Sequence, residues 1–270
     1  MNYLSRREHV TSPHNPLLKE IRRAAARGGL TSDGLCLAEG MHLLEEALRS
    51  GLEIAAIVAT ENAISAAAGA AKDSAKTRFL TVDLPLFHGI STTESPQGVI
   101  ALVRPPEWTE DDIFRKTPRK TPLIVVLDGV QDPGNAGTLM RAAEAFGATG
   151  ALFLKGTANA WNPKTLRASA GSLFRLPMRD SLTPAEALEA LAGHGVAGWT
   201  TLLTGGVSVD QADLKQPCGI VIGSEAHGVS EEFRKSLKGI TIPTMAVESL
   251  NAAVAGAVVL YEAARQRGFQ

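Results

Sequence analysis

The stretch Leu123-Ile124-Val125-Val126-Leu127-Asp128-Gly129-Val130-Gln131-Asp132-Pro133-Gly134-Asn135-Ala136-Gly137-Thr138-Leu139-Met140-Arg141 decides the architecture of this chain. Leu123 to Leu127 is a continuous apolar run, which suits a strand covered on both faces, as strands of parallel sheets are. The turn-rich residues from Asp128 to Asn135 end that strand, and a helix follows over 138–146, with Asn135 placed to cap it and Arg141 six residues further on. Strand, loop and helix in this order open a β/α unit.

The same alternation continues to the end of the chain. Strands are predicted at 151–154, 197–203, 219–222 and 240–242, and helices at 163–169, 184–192, 230–235 and 249–267, the last closed by Gly268. The pattern predicts a mostly parallel sheet with helices on both faces. Ahead of it stands a smaller α/β unit. Its helix 14–27 ends at Gly28-Gly29, a strand covers 35–38, and a helix over 41–48 stops at Gly51. A strand at 54–59, an alanine-rich helix at 62–71 and strands at 78–82 and 98–103 complete it. Residues 105–121 combine prolines with a run of acidic and then basic side chains and offer almost no core, so they are predicted to be a semi-stiff linker. The expected boundaries are 1–104, 105–121 and 122–270.

Composition narrows the class. The chain has 270 residues, 44% hydrophobic and 20% charged, a globular balance. No apolar run approaches the roughly 18 residues that span a bilayer. The N-terminus MNYLSRREHV has no apolar segment behind its basic residues, so it does not read as a signal peptide, and a cytoplasmic protein without membrane contact is expected. Cys36 and Cys218 belong to no C-x-x-C pair, and the six histidines show no ligand spacing. Reduced, buried thiols and no metal are expected. The net charge is −1, yet Lys19, Arg22, Arg23 and Arg27 cluster near the N-terminus. From Lys155 to Arg179 there are five basic residues and no acidic one. Such local basic faces permit phosphate binding, though on charge alone plain solvated surface is the favoured reading.

Gly193-His194-Gly195-Val196-Ala197-Gly198 matches G-x-G-x-x-G letter for letter, but a helix precedes it and a strand follows. A dinucleotide site needs the reverse, so these glycines read as a helix stop.

Two further segments carry chemistry. Ile220-Val221-Ile222-Gly223-Ser224-Glu225-Ala226-His227-Gly228-Val229-Ser230 is a strand running into a loop whose glycines allow close approach of backbone to a ligand. Ile242-Pro243-Thr244-Met245, followed by Glu248-Ser249-Leu250-Asn251-Ala252-Ala253-Val254-Ala255, leads into a helix rich in small residues. Taken singly, each is also explained by ordinary turns and caps.

Together with the first stretch, and in this order, they resemble the three motifs of the SpoU/TrmH-type RNA 2′-O-ribose methyltransferases of the SPOUT class. Asn162-Pro163-Lys164 and Arg167-Ala168-Ser169-Ala170-Gly171 resemble a recurrent segment of the same family. In the first unit, Asn15-Pro16 with Lys19, and Glu39-Gly40 before a helix, resemble the ribosomal-protein-L30e-like substrate-binding domain often fused ahead of that catalytic domain. The resemblance implies a trefoil knot in residues 122–270 and S-adenosylmethionine as cofactor. It implies cofactor contacts at Gly223, Ile242, Leu250, Thr201 and Leu202. Arg141 is implied beside the ribose hydroxyl, Asn135 and Glu225 fixing it, and Ser249 and Asn251 holding substrate or cofactor and capping the last helix. Arg167, Lys19 and Arg22 are implied RNA contacts, ribosomal RNA the favoured substrate, and a homodimer the assembly. Four other readings stand beside this one: a transfer-RNA substrate, methylation of a base, a non-catalytic RNA- or ribosome-binding protein with the same fold, and a nicotinamide-dependent oxidoreductase suggested by the glycines at 193–198.

Overall fold

The computed structural model describes residues 7–71, 76–117 and 121–269. Arg6 of the N-terminal stretch, and Arg119 and Lys120 of the expected linker, lie outside them. The chain divides into two compact units: Met1–Pro106 with Trp161–Arg175, and Glu107–Ala160 with Leu176–Gln270.

The first unit runs β1 (Arg7–Val10), α1 (Pro16–Arg27), β2 (Cys36–Glu39), α2 (Met41–Arg49), β3 (Ile54–Thr60), α3 (Glu61–Ala70), β4 (Arg78–Val82), α4 (Leu84–His88) and β5 (Val99–Val103). Its sheet has the order β1-β4-β3-β5-β2, with β5 antiparallel to both neighbours and the other pairs parallel. Helix α1 shows how locally the sequence specifies an element. The Asn15 side chain accepts from the Leu17 N–H at 2.9 Å, Pro16 occupies the first turn, and Gly28 ends the helix at φ 62°. Its buried face, Leu18, Ile21 and Ala24, joins Leu37, Val58 and Leu102 in one core.

The second unit begins with α5 (Glu110–Ile113), followed by β6 (Leu123–Asp128), α6 (Pro133–Ala145) and β7 (Gly150–Leu154). The chain then supplies α7 (Pro163–Ala168), which belongs with the first unit. It continues through β8 (Met178–Leu182), α8 (Pro184–Gly193), β9 (Ala197–Leu202), β10 (Val207–Ser208), β11 (Cys218–Gly223), α9 (Glu231–Ser236), β12 (Lys238–Thr241) and α10 (Ala252–Gln266). All neighbours in the order β10-β12-β9-β11-β6-β7-β8 pair in parallel. Central β6 and β11 are buried along nearly their whole lengths, as their apolar runs require.

Several boundaries differ from the sequence expectation. Helix α6 starts five residues early because Asp132, not Asn135, is its N-cap: the Asp132 carboxylate accepts from the Asn135 N–H at 2.9 Å, and Pro133 takes the first helical position. Helix α10 starts three residues late, because Asn251 accepts from the N–H groups of Ala253 and Val254 at 2.9 and 3.3 Å; Ser249 lies before the cap. The segment expected to be a coreless linker contributes Ile113 and Phe114, both buried, and Gly150 is small enough for Ile113 to sit against it. Its short helix carries a Thr109/Asp112 capping box, a signal hidden in an acidic run. Helix α8 ends at Gly193 and β9 starts at Ala197, so the glycines at 193–198 are a helix-to-strand loop. The small residues of α10 have a partner within the chain: Gly256 packs directly on Leu139 of α6 and near Ile222.

Cys36 and Cys218 are buried and unpaired, and burial pushes their thiols up to about 12 and about 11. Both therefore stay neutral and inaccessible near neutral pH. A thiol reagent added at pH 8 should modify neither in the native protein and both after denaturation. Rapid labelling of either one before unfolding would contradict this packing.

Candidate active site

At the C-terminal ends of β9, β11 and β12 the second unit encloses a cavity of about 680 Å³. That is the end of a parallel sheet where ligands bind, and the volume lies in the range of small-molecule sites. Its wall comes from three chain segments: Thr201–Thr204 after β9, Ile222–Val229 after β11, and Ile240 to Ala255 around the start of α10. All five residues expected to hold the cofactor, Gly223, Ile242, Leu250, Thr201 and Leu202, line it, as do Glu225, Ser249 and Asn251.

The glycine loop after β11 is a tight bend. Ser224 and Gly228 exchange backbone hydrogen bonds at 3.0 and 2.9 Å, and Gly228 has φ +67°. A Cβ on Gly223 would collide with the Gly228 carbonyl and the Val229 nitrogen, so only glycine allows this turn to close. Asp128 anchors the loop from the neighbouring strand: its carboxylate accepts from the Ser230 N–H at 2.6 Å. Thr157 steadies the other side, donating to the Leu127 carbonyl at 2.8 Å and accepting from the Gly129 N–H at 3.1 Å.

Asn135, from the start of α6, joins two of these segments. Its amide nitrogen donates to the Glu225 carboxylate, and its amide oxygen accepts from the Asn251 side chain at 3.1 Å. Asn251 in turn uses its own oxygen to cap α10. Motifs far apart in sequence thus meet in one relay, Asn251 to Asn135 to Glu225. Arg141 does not join it. This side chain is exposed, makes no hydrogen bond or ion pair with a described residue, and does not line the cavity.

The sequence reading missed Arg234, Glu248 and His227, which also line the cavity. His227 and Glu248 stood inside quoted segments without a role. Arg234 had no local signal, since an arginine on a short amphipathic helix looks like any solvated residue. Among the described residues no group of side chains could hold a metal ion, and no helix is long and apolar enough to cross a membrane.

The basic residues outside the cavity separate into two groups. Lys19 is exposed on α1, and Arg22 donates to the carbonyl of Pro13, which precedes the same helix. Arg167 is engaged within the first unit, pairing with Glu39 at 3.3 Å. Arg175 pairs with Glu46, and Arg179 with Glu110 at 3.3 Å. The run from 155 to 179 has no acidic residue in sequence, but the fold brings carboxylates to Arg167, Arg175 and Arg179.

A parallel sheet with a glycine-bent ligand cavity at its C-terminal edge defines a cofactor-binding α/β protein. Residues 122–261 match the model of the SpoU rRNA Methylase family, and residues 15–101 match the MRM3-like substrate binding domain. The chain is 31% identical over 257 residues to the 23S rRNA (guanosine(2553)-2′-O)-methyltransferase RlmP of Bacillus subtilis, covering 94% of this chain and 98% of that one. Among solved structures, the AdoMet-bound rRNA methyltransferase from Sinorhizobium meliloti superposes with a TM-score of 0.83 at 28% identity, over 96% of this chain and 98% of that one. The SpoU methyltransferase AviRb from Streptomyces viridochromogenes, in complex with AdoMet, also superposes at 0.83, with 27% identity over 94% and 98% of the two chains. The chain belongs to the SpoU rRNA methylase family.

The Asn135 relay gives a test. An amide offers a donor on one side and an acceptor on the other, whereas a carboxylate at pH 7 only accepts. Asn135→Asp should therefore weaken S-adenosylmethionine binding more than Asn135→Ala does, because it sets two carboxylates together. Titration calorimetry at pH 7 and at mildly acidic pH checks this. The Asp variant should recover partly at the lower pH, and equal affinities of the two variants would show that the relay carries no charge constraint.

Proposed function

We propose that this protein transfers the methyl group of S-adenosylmethionine to a ribose 2′-hydroxyl of ribosomal RNA. The observation that carries this is the cavity itself: the second and third motifs line it, Asn135 of the first is hydrogen-bonded to both, and every expected cofactor residue lies in the wall. A cofactor held there meets mainly strand ends and the bend at Gly223, so backbone groups do most of the holding. When bound, S-adenosylmethionine supplies an electrophilic methyl on a positively charged sulfur. The protein must orient the ribose oxygen and disperse the charge that develops as its proton leaves.

Arg141 suits the second task. An arginine does not deprotonate in a protein, so it is not the base; its guanidinium orients the nucleotide and stabilises the developing alkoxide. The proton passes to an RNA phosphate oxygen or to water. Asn135 and Glu225 hold the loops around the reacting centre. The first unit serves as the RNA-binding domain, with Lys19 and Arg22 on α1 facing the phosphates, and residues 122–270 form the catalytic domain. The return of the chain from β12 through the cavity wall to α10 is the crossing that forms the trefoil knot. Ribosomal RNA as substrate puts the enzyme in the cytoplasm. Its 23S-specific relative RlmP supports ribosomal over transfer RNA as the target class.

Labelled methyl transfer to unmodified ribosomal and transfer RNA, followed by nucleoside analysis, tests the reaction. A 2′-O-methyl nucleoside in ribosomal RNA is expected, and Arg141→Ala should reduce its rate by about 10²–10³, the usual cost of one lost oxyanion donor. A methylated base would overturn the site of transfer, and product only in transfer RNA would overturn the substrate class.

The functional form is a homodimer. Ala253, Val254, Ala257 and Tyr261 of α10 and Phe146 beside α6 line an apolar groove, with Val254 49% and Tyr261 47% exposed. Tyr261 is flanked by Phe146 and by Phe269, which is 60% exposed. A contiguous apolar face of this kind suits a second copy packed by two-fold symmetry. Thr138, on the groove, lies one turn before Arg141, so the same packing carries Arg141 towards the partner's cavity. Mixing Arg141→Ala with Gly223→Ala, each inactive alone, should restore activity through hybrid dimers. Val254→Glu should give a monomer in sedimentation with its melting temperature nearly unchanged. Hybrids that stay inactive, formed from dimers that exchange subunits, would place Arg141 in its own subunit's site.

A further inference from the structure

Two carboxylates are buried in the first unit, and each is met by an arginine from far along the chain. The Glu39 side chain, at the end of β2, is 4% exposed, and that of Glu46, on α2, is 7% exposed. Glu39 accepts from the Ser91 hydroxyl, the Thr92 N–H at 3.0 Å, the Thr92 hydroxyl at 2.5 Å and the Thr93 hydroxyl at 3.0 Å. Its charge is met by Arg167, 3.3 Å away. Arg167 also donates to the Thr92 hydroxyl at 2.5 Å and to the Thr92 carbonyl at 3.4 Å. Glu46 receives Arg175, together with Arg49 at 2.6 Å from its own helix.

The backbone is shaped to the same contacts. Gly171, at φ +87°, leaves room for the Glu46 side chain, which a Cβ would meet at 2.6 Å. Gly28, at φ +62°, backs directly onto the Asn162 side chain that caps α7. Segment 161–175 is thus fastened to the first unit at three places, although it follows β7 and precedes β8 of the other unit in the chain.

We infer that Arg167 and Arg175 are positioning residues rather than phosphate ligands: they neutralise Glu39 and Glu46 and so build segment 161–175 and the loop Ser91–Thr93 into the RNA-binding unit. This deepens the function proposed above and rests on it for the identity of the ligand. An isolated buried carboxylate is costly, so each arginine and its glutamate hold one another in place. The consequence is that the first unit is completed by residues the catalytic half of the sequence encodes. RNA held by it is coupled through the chain on both sides of 161–175 to β7 and β8.

The two roles for Arg167 predict opposite effects at Glu39. If Arg167 bound phosphate and Glu39 competed for it, Glu39→Gln would free the cation and tighten RNA binding. As a positioning pair, Glu39→Gln and Arg167→Ala should both raise the KM for RNA, by about tenfold, as small misplacements do, while S-adenosylmethionine affinity stays unchanged. The slope of log affinity against log salt is the second readout. Loss of one phosphate contact reduces it by about 0.7–0.9, whereas loss of a positioning residue leaves it unaltered. Arg167→Lys should restore much of the KM.

Hydrogen exchange on the full chain completes the test without RNA. Amides in 163–168 and 91–93 should lose protection in Arg167→Ala and in Glu39→Gln alike. Tighter RNA binding by Glu39→Gln, or a reduced salt slope in Arg167→Ala with exchange unchanged, would overturn the inference. If the wild type methylates no RNA, the proposed function fails, and the exchange measurement still decides the clamp.

Discussion

One amide side chain sets the terms for the active site. Asn135 sits inside the first turn of α6, where the Asp132 cap has already satisfied its backbone N–H. Its side chain is therefore available, and it is used on both sides, donating to Glu225 and accepting from Asn251. No other residue of that size offers a donor and an acceptor in one rigid plane. The loops after β6 and β11 and the cap of α10 are consequently fixed with respect to one another.

The relay works only because the backbone beneath it is rigid. Strands β6 and β11 are neighbours in the sheet although ninety residues separate Asn135 from Glu225. Their buried apolar runs fix the register, since in a sheet covered on both faces a slip would misplace every side chain. The bend at Gly223 then turns the chain within one residue of the strand end, and Asp128 ties the far side of that bend to β6 through Ser230. Behind the wall, Gly256 lets α10 lie close against Leu139, which holds Asn251 within reach of Asn135. Small residues in this helix face serve the interior, while its outer face, with Val254 and Tyr261, is apolar and uncovered.

How much of this the sequence revealed follows from where each residue sits in the layers. The central strands were legible because burial on both faces demands unbroken apolar runs. Edge strands were not: β1 and β8 expose three of their residues each, so REHV and MRDSL look like loop. The start of α6 was hidden by Pro133 and Gly134, which resemble a turn unless Asp132 is recognised as the cap. The cavity residues were found through motif resemblance, because backbone-lined sites leave few chemical side chains to read. The 155–179 run misled for a different reason: local charge is visible in sequence, but the carboxylates that meet it come from more than sixty residues away.

That contrast bears on Arg141. Arg167, Arg175 and Arg179 each have a carboxylate, and Arg23 and Arg27 both lie 3.6 Å from Glu20. Arg141 has none among the described residues, although it stands in the segment richest in site residues. A carboxylate partner would neutralise the charge that a developing alkoxide needs, and a buried position would hold the guanidinium away from an incoming nucleotide. In the proposed reaction, an exposed arginine without a carboxylate partner is available to an anion that arrives with the substrate. Most other described arginines are held by carboxylates or carbonyls of the chain itself, whereas Arg141 and the cavity-lining Arg234 have no such partner among the described residues.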